Sequence, residues 1–157
     1  MRRNFYLGVL LIGIVVIIAL FSYRTLPATT TEQMLVAEFG GVSLKIEYAT
    51  TPEARKQGLG GRAEIQEDYG MLFVFANDDK YGFWMKDMLV PLDIFWLDSD
   101  GHVVSIIKDV ATSTYPNVFY PPEPARYVLE TAAGFARAHA IKTGTLLRLK
   151  NVPSVSE

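Results

Sequence analysis

Leu92-Asp93-Ile94-Phe95-Trp96-Leu97 and, upstream, Met71-Leu72-Phe73-Val74-Phe75 decide the fold. Both runs are short, nearly continuous in apolar residues and rich in aromatic and β-branched side chains, the pattern of strands covered on both faces. Around them the chain supplies the rest of a sheet. Val42, Leu44, Ile46 and Tyr48 alternate with Ser43, Lys45 and Glu47, which predicts a strand with one face on a core and the other in water. Gly40-Gly41 before it predicts a hairpin with a strand over residues 35–39. Thr51-Pro52 is a helix start, a hydroxyl cap followed by a preset φ, and Gly58 is its stop. Asp98-Ser99-Asp100-Gly101 predicts a tight turn into a strand over 102–107. As a calcium loop it fails, because Gly101 comes too early and a third ligand is missing. Residues 111–124 carry four prolines, which bar a central strand and make this a surface loop. A strand over 126–131, a short helix over 132–141 and a closing strand over 145–150 complete the expectation. The fold class is α+β: a mainly antiparallel sheet curled toward a barrel, with two short helices.

One transmembrane helix is expected to precede this domain. Residues 5–23 are nineteen positions without a charge, between Arg2-Arg3 and Arg24. As a helix they span roughly 28 Å, close to the ~30 Å hydrocarbon core of a bilayer. A cleaved signal is the competing reading, but the exit Ala19-Leu20-Phe21-Ser22-Tyr23-Arg24 lacks a good small-x-small site. Two arginines and the free amino group on one side, against Arg24 alone on the other, orient the amino terminus to the cytoplasm and the domain outside. The organisation expected is a cytoplasmic stub and anchor over 1–26, a linker over 27–33, the domain over 34–152 and a tail over 153–157. The lipid bilayer is thus the first expected partner.

Charge and composition exclude several classes. Of fifteen basic residues three lie in the first 27 positions, leaving twelve against seventeen acidic ones, a net of −5 for the remainder. That balance opposes nucleic-acid binding. Zero cysteines exclude disulfides, thiol chemistry and cysteine-ligated metals. His102 and His139 have no ligand at metal spacing, and neither a serine elbow nor a phosphate-cradling glycine loop is present. No metal or cofactor is expected, and the reading leans away from an enzyme.

Polar chemistry concentrates around the two core strands. If residues 83–88 are extended, Trp84, Lys86 and Met88 share one face and Phe83, Met85 and Asp87 the other. Trp84 beside Lys86 is then either a platform for a polar ring or a core tryptophan with a lysine reaching past it to water. Asp93 sits one residue into an apolar strand, where a lone carboxylate costs several kcal/mol, so Arg62, Lys86 and Arg126 are its candidate partners. Arg126 and Glu130, four residues apart on one strand, point the same way. Asp93, Arg126 and Glu130 form either a polar site in a pocket or an ion-pair network that locks the fold. As a glycosidase pair, Asp93 and Glu130 would need carboxyls ~5–9.5 Å apart.

Arg55-x-x-Gly58-Leu59-x-x-Arg62, Gly70-Met71-Leu72-Phe73-Val74-Phe75, Phe83-Trp84-Met85-Lys86 through Pro91-Leu92-Asp93, and Ala125-Arg126-Tyr127-Val128-Leu129-Glu130 with Gly134 occur in this order. Together they resemble the prokaryotic domain-of-unknown-function family 192, over about residues 42–149. The family commonly has Asn-Thr after the Trp-Met-Lys run where this chain has Asp87-Met88, so no role for that amide and hydroxyl carries over. The resemblance implies a compact β-rich α+β fold, often exported, and no established activity. The functional expectation is therefore a membrane-anchored extracytoplasmic domain that binds a small polar or glycan-like ligand, or a cell-envelope partner, through Arg62, Trp84, Lys86, Asp93, Arg126 and Glu130. The alternatives are an envelope polysaccharide hydrolase using Asp93 and Glu130, and a non-catalytic structural or assembly protein. Intact mass spectrometry of membrane fractions is expected to return the full-length chain. A product beginning after Tyr23 would instead show a removed signal.

Overall fold

The order of elements follows from where the chain can turn. The computed structural model describes residues 35–155. Strand β1 (Leu35–Phe39) pairs antiparallel with β2 (Val42–Ala49) through a two-residue turn, Gly40-Gly41, at φ 60° and 89°. These are values that favour glycine. Gly40 is needed for space too, since a Cβ there would sit 2.5 Å from Ile141 Cδ1. Helix α1 (Pro52–Gln57) starts where expected: the Thr51 hydroxyl accepts from the Ala54 N–H at 3.1 Å, and Gly58 closes the helix by donating to the Ala54 carbonyl. It carries the chain over to β3 (Tyr69–Asp79), which runs parallel to β2.

The remaining strands are β4 (Leu92–Leu97), β5 (Val103–Val110), β6 (Ala125–Ala132) and β7 (Leu147–Arg148). They form one sheet in the order β5-β4-β6-β3-β2-β1-β7, antiparallel except at β2–β3. The sheet curls into a half-barrel. Its two ends are drawn together where His102 bridges Leu146, Val103 N–H donates to the Thr145 carbonyl at 2.9 Å and Leu147 N–H to that of Gly101 at 2.9 Å.

As expected for the two apolar runs, both faces of the central strands are covered. Leu72, Phe95, Leu97 and Leu129 point to the inner face with Phe39, Leu44, Phe135 and Leu147. Met71, Phe73, Ile94, Trp96 and Val128 point to the outer face, which Leu59, Phe83, Met85 and Met88 cover from the connecting segments. Burial of this kind, at about 25 cal/mol per Å² of apolar surface, is the main source of stability in a chain without disulfides. The 111–124 loop is at the surface, with a 3₁₀ turn at Thr112–Thr114, and is pinned by reciprocal backbone bonds between Phe83 and Phe119.

Several boundaries differ from expectation. Strand β3 extends beyond residues 71–75 to span Tyr69–Asp79. The strand after the aspartate turn extends to Val110. The second helix, α2, spans only Phe135–Ala138. It ends because Ala140 adopts φ 52° and Ile141 N–H reaches back to the Ala136 carbonyl, a left-handed helix stop that no glycine announces. The closing strand is reduced to Leu147–Arg148, because residues 144–147 also bond to Gly101 and Val103. Among the described residues no helix is long and apolar enough to cross a membrane. The expected anchor over residues 5–23 and the linker over 27–33 lie outside the described residues.

Asp93 is completely buried and locks this arrangement, but not through the partners expected for it. Oδ1 accepts the Asp109 N–H at 2.8 Å and Oδ2 the Ala136 N–H at 2.8 Å. Neither Arg62, Lys86 nor Arg126 pairs with it. Two backbone donors satisfy the carboxylate without burying a second charge, which is the cheaper solution. The bonds clasp β4 to the bulge of β5, where Asp109 has φ 54°, and to the first turn of α2. Asp93→Ala would orphan both donors, and we expect a loss of about 3 kcal/mol, or roughly 10 °C in melting temperature. Urea and thermal melts measure it, and an unchanged midpoint would refute the clasp.

Candidate functional site

A cavity of about 160 Å³ opens on the outer sheet face between the carboxyl end of α1 and the segment 82–88. Phe73 on β3 and Glu130 on β6 form part of its lining, with Arg55, Lys56, Gln57 and Gly58 on one side and Phe83, Trp84, Lys86 and Met88 on the other. Local sequence explains the opening. Gly58 has φ 51°, and a Cβ there would stand 3.3 Å from Phe73 Cζ and 3.9 Å from Glu130 Oε2, so a side chain would crowd the approach to the carboxyl. Across from it, Phe83 and Met85 point inward while Trp84 and Lys86 point out, the expected alternation. That alternation stops at Lys86-Asp87, where Asp87 turns at φ 57°. Met88 is therefore buried with Phe83 and Met85 instead of sharing the face of Trp84.

Trp84 is 51% exposed, so it is not a core residue. Its ring meets Tyr115 of the 111–124 loop edge-on, with centroids 6.4 Å apart. The buried tryptophan is Trp96, whose indole N–H donates to the Tyr81 carbonyl at 2.9 Å. Lys86 has only a loose contact with Asp87, at 3.9 Å. Arg55 is committed elsewhere: Nη1 donates to the carbonyls of Thr50 at 2.7 Å and Val74 at 3.1 Å, tying α1 to the sheet.

Glu130 is the unusual group. It is 4% exposed, and its β-ladder neighbours are Met71 and Ile94. Among the described residues no group donates a hydrogen bond to its carboxyl, and burial alone pushes its pKa up to about 8. A carboxyl so placed is neutral near pH 7 and can donate a hydrogen bond.

Of the six residues singled out from the sequence, Trp84, Lys86 and Glu130 come together at this cavity. The other three do not. Arg62 is held away by Glu47, with Nη2 2.8 Å from both carboxylate oxygens, and by the Tyr69 hydroxyl at 2.7 Å. Burial and the Glu47 carboxylate push that tyrosine's pKa up. Arg126 shares the face of Glu130 but lies about 13 Å along the strand, and its Nε bonds Asp78 at 2.5 Å near the surface. Asp93 stands opposite Thr131, and Glu130 opposite Ile94, so the two carboxylates project from opposite faces of the sheet. The expected pairing of Asp93 and Glu130 as a hydrolase acid and base is corrected by this register.

The family model for domain of unknown function 192, described as an uncharacterized ACR, matches residues 35–149. The chain belongs to DUF192. A protein of Thermococcus gammatolerans named as a member of UPF0127 is 30% identical over 104 residues, 65% of this chain and 64% of the relative, just under two thirds of its length. Among solved structures, a Novosphingobium aromaticivorans protein of unknown function is similar at a TM-score of 0.69 and 26% identity, covering 78% of this chain and 89% of that one. A Sinorhizobium meliloti protein described as a proposed transcription regulator gives 0.66 and 29%, covering 72% and 89%. The sequence resemblance to DUF192 is thus shown. Within the DUF192 domain, the α1 side of the cavity was missed as a site although Arg55-x-x-Gly58 stood in the resemblance. Its signal is the glycine, since a helix stop alone does not require the open approach to Glu130.

Because the folded pKa of Glu130 lies above the usual 4.5, the group binds a proton in the folded state and loses it in the unfolded chain between those values. The contribution of Glu130 to stability is therefore full below about pH 4.5, falls as pH rises and levels off above about 8. Glu130→Gln removes this dependence. We expect the variant to gain several kcal/mol relative to the parent between pH 5 and pH 9, read from paired urea melts, and parallel curves would refute the neutral buried carboxyl.

Proposed function

We propose that this DUF192 protein is a membrane-anchored, extracytoplasmic binding domain that takes a small polar or glycan-like ligand in the cavity bounded by Trp84, Lys86 and Glu130. The observation that carries the reading is Glu130: its carboxyl, desolvated by the surrounding packing at a cost in free energy, lines the cavity with no protein hydrogen-bond partner among the described residues. A ligand that hydrogen-bonds it would recover that cost. The cavity is smaller than the ~300–1,000 Å³ of drug-sized sites, which suits a small ligand. An aromatic face at the mouth and convergent polar groups inside are the usual composition of a binding pocket. The anchor rests on the uncharged segment 5–23, and the orientation on Arg2 and Arg3.

A second reading, docking of a cell-envelope partner, is favoured by the exposed Leu89, Tyr115 and Tyr120 around the same segment.

Full-length protein in lipid nanodiscs, screened by thermal shift against envelope monosaccharides and small polar metabolites, tests the binding reading. Hits are expected to move the indole N–H resonance of Trp84 and leave that of Trp96 in place, and to lose about tenfold in affinity in Trp84→Ala. Hits that perturb neither Trp84 nor Lys86 would sink it.

A further inference from the structure

The geometry points to a ligand class: a small ring compound carrying one carboxylate, of which a hexuronic acid is the simplest example. Its carboxylate would lie between Glu130 and Lys86, with its ring on Trp84. This rests on the binding reading above and goes on to name what is bound.

The charges around the cavity carry the choice. In a domain (residues 34–152) whose net charge is −3, twelve basic against fifteen acidic side chains, the lining holds Arg55, Lys56 and Lys86, and Glu130 is its one acidic residue. Arg55 already serves two backbone carbonyls, so Lys56 and Lys86 supply the uncommitted cationic groups. A cationic ligand meets two lysines. A neutral ligand leaves them unused. An anion is attracted locally although the domain as a whole repels it.

The kind of anion follows from the donors. A phosphoryl group is best met by a guanidinium fork or a run of backbone N–H groups, and here the arginine is turned away. A carboxylate needs fewer donors: one oxygen accepts the Glu130 O–H and the other a lysine ammonium, a charge-assisted pairing on each side. Trp84, with Tyr115 set edge-on against it, offers a flat apolar surface to a ring beside that carboxylate.

Such a pairing requires the proton on Glu130. The charged groups lining the same cavity are Arg55 and Lys56 from α1 and Lys86 from the segment 82–88, while the neighbours of Glu130 on β3 and β4 are Met71, Phe73 and Ile94. As pH rises through about 8 the proton leaves and two carboxylates face each other. Binding therefore weakens on the alkaline side.

Full-length protein in nanodiscs is titrated with glucuronate, glucose and inorganic phosphate at about pH 6.5 and pH 9.5, with Trp84 and Lys86 resonances as reporters. Glucuronate is expected to bind about tenfold tighter than either other probe at the lower pH and to lose about tenfold at the higher. Glu130→Gln, whose amide donates at any pH, is expected to abolish the pH dependence. Lys86→Gln, on an exposed position, is expected to weaken glucuronate about fivefold without changing the melting temperature. Glucose binding as tightly as glucuronate would overturn the carboxylate while leaving the cavity a binding site. Tighter phosphate would replace the ligand class. If none of the three moves Trp84 or Lys86 the proposal fails outright, and the metabolite screen then decides the binding reading by itself.

Discussion

The register between β4 and β6 is the constraint on which the rest of the molecule depends. Ile94 stands opposite Glu130 and Asp93 opposite Thr131, so the pleat sends two buried carboxylates in opposite directions. A slip of β4 by one residue would turn every one of its side chains over and bring Asp93 onto the face of Glu130. Asp93 goes inward and takes the N–H groups of Asp109 and Ala136, holding the β5 bulge and α2 against the inner core. Glu130 goes outward and finds no partner. One carboxylate is held by the backbone, and the other opens on the cavity without a protein partner.

That difference arises from what each face is covered with. The inner face is closed by β1, β7 and α2, whose backbone supplies donors at the right place. The outer face is covered by side chains from α1 and the 82–88 segment, mostly apolar around Glu130, and the cover leaves a gap where Gly58 has no Cβ. Burial without compensation is what keeps the Glu130 proton on near neutral pH. A carboxyl in that state is a hydrogen-bond donor in an apolar setting, a rare group on a protein surface and one suited to recognising an acceptor.

Membership of DUF192 and the similarity to proteins from Novosphingobium aromaticivorans and Sinorhizobium meliloti establish the architecture and leave the chemistry to the site. In this chain an exposed indole, a loosely paired lysine and a buried carboxyl surround one small cavity.

Much of the fold was legible in the sequence, because each of its signals is local. The apolar runs at 71–75 and 92–97, the Gly40-Gly41 turn, the Thr51-Pro52 cap and the proline-rich loop each state their own conformation through periodicity, preset φ or a missing donor. So was the alternation of Phe83, Trp84, Met85 and Lys86. What escaped were properties that exist only between segments. The stop of α2 at Ala140 is made by a left-handed alanine whose strain the surrounding packing absorbs. The partners of Asp93 are backbone groups, which every sequence contains everywhere and which no residue type can announce. The separation of Arg62 and Arg126 from the cavity was decided by Glu47 and Asp78, carboxylates brought near by strand pairing. Sequence by itself determined which stretches become strands and helices and that some carboxylates would be buried among them. Only the tertiary structure decided which of them would be satisfied, because hydrogen-bond partners and open space depend on register and close packing across the sheet.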